Sequence, residues 1–139
     1  MVLKGAAIFA ADLMRGLTIP FTVEFVAASS YRDRTRSSGE VALGDIDALH
    51  LAGRHVLVIE DILDTGLTTT ALLDRLRRRR PASLKLCALL DKRNGRAPDL
   101  PVAFTGFAIP DEFVVGYGMD YAERYRNLRG VYRLVLGGG

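Results

Sequence analysis

The sequence predicts an α/β domain with a mainly parallel central sheet flanked by helices. Three observations carry that prediction. Residues 55–61, HVLVIED, form an almost unbroken apolar run of strand length, as expected for a strand covered on both faces. A helical pattern follows, with Leu72, Leu73 and Leu76 on one side. A second apolar run, LKLCALLD, then occupies 84–91. Strand, helix and strand in that order form a crossover unit whose two strands run parallel.

The other elements follow along the chain. In AAIFAADLMRG, Ala6, Phe9 and Leu13 recur at spacings of three and four, a short amphipathic helix that Gly16 is placed to end. FTVEFVAASSY alternates Phe21, Val23, Phe25 and Ala27 against Thr22 and Glu24, with Pro20 at its entrance. That period of two predicts a strand. The polar segment RDRTRSSGE should be a surface loop, and VAL at 41–43 a returning strand. The central helix should run from Thr68 until Pro81 stops it. Beyond Lys92 a Pro- and Gly-containing connection leads to short strands around AFTGFAI, FVVGYG and VYRLVL.

Size and composition limit the choices. The 139 residues, 49% of them apolar, suit one domain over 1–139. The formal charge of +3, from 19 basic and 16 acidic residues, is mild beside the dense basic faces of nucleic-acid binders. The run Arg77 to Arg80 lies in a helix's last turn, where the dipole already favours cations. Cys87 is the single cysteine, so no internal disulfide is possible, and a buried thiol and a cytoplasmic setting are expected. The N-terminus carries no secretory pattern, and no apolar run approaches the ~18 residues of a membrane span. A soluble chain, with no membrane partner, is therefore expected.

The chemistry concentrates at VLVIEDILDTGLTTT, residues 56–70. In open α/β sheets ligands sit at the carboxyl ends of strands, and DTGLT falls there. Gly66 permits positive φ or close approach of the backbone to a ligand. The hydroxyls of Thr65 and Thr68, with successive N–H groups at a helix start, can surround a phosphate. The Walker pattern is absent. Glu60 and Asp61 would repel phosphate unless they meet hydroxyls or a metal, and ribose offers two cis hydroxyls. The plainer alternatives are an exposed acidic corner, with Asp64 capping the helix, an ordinary surface lysine at Lys92, and core residues at Phe113 and Val114.

The full string resembles the phosphoribosyl pyrophosphate-binding motif of type I phosphoribosyltransferases. The remaining segments, in order, resemble the hypoxanthine-guanine branch: LKG its pyrophosphate loop, ASSY the start of its mobile loop, and ALLDKR, FVVGYGMDY and ERYRNLRGV its purine pocket and C-terminal signature. The resemblance implies a partial hood over the sheet and a site divided among named residues. Glu60 and Asp61 would hold the ribose hydroxyls, and Asp64, Thr65, Gly66, Leu67 and Thr68 the 5′-phosphate. Asp64 would also exchange a proton with the purine. Lys92 would donate to the exocyclic oxygen, Phe113 would stack on the base and Val114 would meet its edge. Lys4, Gly5 and Arg126 would bind pyrophosphate, with a cis peptide between Leu3 and Lys4. Glu60, Asp61 and Asp120 would serve Mg2+, and Ser30 and Tyr31 would head the mobile loop. The implied partners are phosphoribosyl pyrophosphate and a 6-oxopurine, and the implied assembly a homodimer or homotetramer.

The sequence also departs from the family, whose members carry several dozen residues before LKG. Two expectations stand side by side: a shortened molecule whose missing central strand exposes its neighbours, or a fragment or mis-set start of a longer protein. A ligand-sensing regulator built on the same fold, a pyrimidine- or adenine-specific transferase and an inactive nucleotide-binding relative remain open alternatives.

Overall fold

A computed structural model describes residues 1–30, 41–92 and 99–135. The predicted crossover unit is its centre. Strand β4, His55–Leu63, pairs in parallel with β5, Ser83–Asp91, in a register that sets Val58 against Leu86 and Ile62 against Leu90. Strand β6, Phe104–Ala108, extends the sheet in parallel along the other edge of β5. Six consecutive residues of β5, Leu86 to Asp91, are buried, as a strand covered on both faces requires. All five residues of the edge strand β6 are exposed.

Helix α2, Leu67–Arg78, returns the chain from β4 to β5. Its leucines at 72, 73 and 76 pack with Val58, Leu63, Leu86 and Ala88 to form the main core. A smaller cluster of Leu89, Leu90 and Met119 is flanked by Phe9, Ile62 and Tyr117. Helix α1, Ala7–Gly16, supplies Phe9 to it. The arginines that end α2 pair within the molecule: Arg75 with Asp47 at 3.2 Å, Arg77 with Asp74 at 2.6 Å, and Arg79 with the Asp47 carbonyl at 2.6 Å.

A second three-stranded sheet contains β1, Val2–Leu3, β2, Val26–Ser30, and β3, Val41–Leu43. The pair β1–β2 is parallel and β2–β3 antiparallel, so VAL does return along its neighbour. The strand read at 21–31 begins only at Val26, because the ladder with β1 starts at Val2↔Val26. Residues 21–25 have no ladder partner among the described residues, and Phe21, Val23 and Phe25 are exposed. The final segments are also shorter than their sequence patterns. Strands β7, Val114–Val115, and β8, Tyr132–Arg133, form a two-stranded antiparallel sheet. Tyr31 and the polar loop after it lie outside the described residues. Among the described residues no helix is long and apolar enough to cross a membrane.

Candidate active site

The carboxyl end of β4 brings the three acids to one corner in different settings. Glu60 is 5% exposed, and its Oε1 accepts a hydrogen bond from Thr69 Oγ1 at 3.2 Å. Burial, reinforced by the adjacent Asp61 carboxylate, pushes its pKa from 4.5 up to about 8. Asp61 is half-buried and also raised, first by desolvation; backbone N–H groups and Arg126 oppose the rise, while Asp120 adds to it. The exposed acidic corner is therefore excluded for Glu60. Asp64 stands further out, with 45% of its side chain exposed.

The turn after Asp64 leaves the start of α2 open. Gly66 occupies the N-cap at φ 77° and ψ −1°, the left-handed region that glycine enters without a Cβ penalty. No side chain caps the helix and no acid lies in its first turn. Asp64 is thus not the N-cap. Thr65 Oγ1 accepts a 3.4 Å bond from the Leu67 N–H, while Leu67 itself is 68% exposed. The first-turn N–H groups, the dipole's positive end and the Thr65 and Thr68 hydroxyls suit an anion at this corner.

Lys92 follows β5 directly, and its backbone N–H donates to the Leu63 carbonyl at 3.0 Å. Its buried side chain carries the ammonium to 3.6 Å from Asp64 Oδ2 and 3.1 Å from Asp111 Oδ1. An oriented donor and a half-exposed carboxylate therefore stand side by side. Phe113 is 49% exposed, with its ring edge-on to Tyr121 at 5.7 Å and 86°. It is an open aromatic face rather than a core residue. Val114 is half-buried in β7, opposite Arg133.

A third group of residues comes from both ends of the chain. The Leu3–Lys4 peptide is cis. A Cβ added at Gly5 would run into the Asp61 carboxylate, and one at Gly118, where φ is +100°, would run into the Gly5 carbonyl. Asp61, Gly5 and Gly118 thus stack in direct contact. Arg126 clasps this stack, donating to the Gly118 carbonyl at 2.9 Å and pairing with Asp120 at 2.8 Å. Glu123 Oε2 bridges Lys4 at 3.1 Å and Arg126 at 3.3 Å. Its pKa is lowered, by Lys4 first and then by Arg126. The Arg126 Nε is buried and has no hydrogen-bond partner.

Among the described residues no three His, Cys, Asp or Glu side chains lie close enough to form a metal cage. Glu60, Asp61 and Asp120 accordingly do not enclose an ion by themselves. Their hard oxygen donors, with the Asp61 and Asp120 charges in electrostatic reach of each other, fit Mg2+, which takes one or two carboxylates and fills its shell with water and substrate oxygens. Ser30 ends β2 opposite Val41, and Tyr31 lies outside the described residues. Sequence reasoning missed Thr69, Asp111 and Glu123. Glu123 had a signal in its position three residues from both Asp120 and Arg126; Thr69 and Asp111 had none beyond residue type.

An open helix start at a strand end, an acidic pair of one buried and one half-buried carboxylate beside it and a cation-rich floor define a nucleotide-handling α/β domain. The sequence matches the phosphoribosyl transferase domain family over residues 2–122. It is 46% identical to the hypoxanthine phosphoribosyltransferase of Haemophilus influenzae over 97% of this chain and 75% of that protein. It is 51% identical to the hypoxanthine-guanine phosphoribosyltransferase of Mycobacterium avium over 91% of this chain and 63% of that one. A crystal structure of a hypoxanthine-guanine phosphoribosyltransferase from Bacillus anthracis superposes with a TM-score of 0.87 at 46% identity, covering 96% of this chain and 79% of the other. The chain belongs to the phosphoribosyltransferase family, in its hypoxanthine-guanine branch.

Proposed function

We propose that the chain transfers the phosphoribosyl group of phosphoribosyl pyrophosphate to hypoxanthine or guanine, giving IMP or GMP and pyrophosphate in a magnesium-dependent reaction of purine salvage. The observation that carries this reading is the position of Asp64 between the open N-terminus of α2 and the Lys92 ammonium. A base nitrogen attacks the anomeric carbon, the bond to pyrophosphate breaks, and the proton on the imidazole ring passes to Asp64. Lys92 donates to the purine's exocyclic oxygen. A 6-amino group offers hydrogens there instead of an acceptor, which disfavours adenine.

The remaining residues bind and orient. The Thr65–Thr68 turn receives the 5′-phosphate, Glu60 and Asp61 the ribose hydroxyls, and Phe113 and Val114 the base. Lys4, Gly5 and Arg126 receive the pyrophosphate, and the unpartnered Arg126 Nε supports an oxygen-rich ligand there. Glu60, Asp61 and Asp120 would hold Mg2+, which when bound would supply charge neutralisation for the leaving pyrophosphate. Ser30, the last residue of β2, and Tyr31 help close the site against water. The assembly is a homodimer or homotetramer in the cytoplasm, with a single domain over 1–139.

The test is incubation with phosphoribosyl pyrophosphate, magnesium and each purine in turn, scored for nucleotide. Asp64→Asn should lower kcat by ~100-fold or more while leaving phosphoribosyl pyrophosphate affinity within a few-fold. No nucleotide from any base would refute the enzyme reading, and an undiminished Asp64→Asn rate would remove its proton-transfer role.

A further inference from the structure

Lys92 is held between two carboxylates, and the nearer one belongs to a residue with no part in the sugar, phosphate or proton steps. Its Nζ lies 3.1 Å from Asp111 and 3.6 Å from Asp64, with the lysine side chain 7% exposed and the Asp111 side chain 69% exposed. So exposed a partner contributes little to stability. Its effect is on direction, because a lysine ammonium is a point charge on a flexible stem, and the anion that anchors it decides where its donors aim.

The backbone fixes this arrangement. Lys92 is pinned to the end of β4 by the bond to Leu63, and Ile109 to the end of β5 by a 3.0 Å bond to the Asp91 carbonyl. The following turn is closed by Glu112 N–H to the Pro110 carbonyl at 2.8 Å, and Arg133 of β8 holds Glu112 at 3.1 Å. Asp111 therefore approaches Lys92 from a braced loop.

We infer that Asp111 is the positioning residue for Lys92, drawing its ammonium away from Asp64 so that one side chain is free to exchange a proton and the other to donate to the purine oxygen. The inference rests on the purine reading above. With Asp111 neutralised, the described carboxylate left to Lys92 is Asp64, and closing that gap would tie up both groups at once.

Asp111→Asn keeps the shape and removes the charge. Calorimetric titration should find GMP bound about tenfold more weakly by this variant, the size of one misdirected charge-assisted hydrogen bond. The 2-aminopurine ribonucleoside 5′-monophosphate, which lacks the purine oxygen, should bind wild type and variant alike. Unchanged GMP affinity, or equal loss for both nucleotides, overturns the inference. A crystal structure of nucleotide-free Asp111→Asn decides it independently: Lys92 Nζ should lie within ~3 Å of Asp64, and Nζ left in its original place overturns the inference. If wild type binds neither nucleotide, the purine reading fails, and the crystal structure still decides whether Asp111 steers Lys92.

Discussion

Replacing Glu60 with Gln should change how stability depends on pH. Glu60 is 5% exposed, and its pKa is raised from 4.5 to about 8 by burial and then by Asp61. The folded chain therefore keeps this proton over a range in which the unfolded chain has released it. Below about pH 4.5 both states are protonated and Glu60 costs nothing; as pH rises towards 8 the wild type loses stability, and above 8 the loss is complete. At about 1.4 kcal/mol per pH unit, the rise corresponds to a ceiling of ~5 kcal/mol. Gln retains an oxygen for the Thr69 hydroxyl and cannot ionise, so its variant avoids this loss. Urea denaturation of both proteins at about pH 5.5, 7 and 8.5 should find the variant increasingly ahead, the gap widening by ~1–3 kcal/mol across the series. A gap constant within ~0.5 kcal/mol would refute the claim that a buried, neutral Glu60 is part of the folded state at neutral pH.

Two other substitutions test the floor of the site. Gly5→Ala puts a methyl into the Asp61 carboxylate and should cost ~1–3 kcal/mol, with weaker pyrophosphate binding; an unchanged Tm and affinity would refute the close packing. Glu123→Gln releases Lys4 and Arg126 from the carboxylate that bridges them, so pyrophosphate should bind a few-fold more tightly by calorimetry, and weaker binding would refute the competition.

The sequence was most legible where a pattern reports its own surroundings. The runs at 56–63 and 84–91 are mostly apolar because helices and sheet neighbours cover much of them, and both become paired strands. The strand read at 21–25 failed for the converse reason. Alternation records which side chains are apolar but not whether a neighbour supplies hydrogen bonds, and the ladder starts only at Val26. The acids at 60, 61 and 64 stood out because carboxylates beside an apolar strand and a Thr-Gly turn need an explanation. Asp111 stayed invisible, because its relation to Lys92 depends on how the loop after β6 is braced to β5 and β8.

The stack of Gly118 on Gly5 on Asp61 leaves no room for even one methyl between its layers. In the proposed reaction, Asp61 faces the sugar and the Gly5 loop faces the leaving group, so direct contact sets the spacing of the two subsites. The site is thereby a gauge of length. An analogue with one added methylene between ribose and pyrophosphate can satisfy either end but not both, and a change at Gly118, remote from the sugar in sequence, should be felt there.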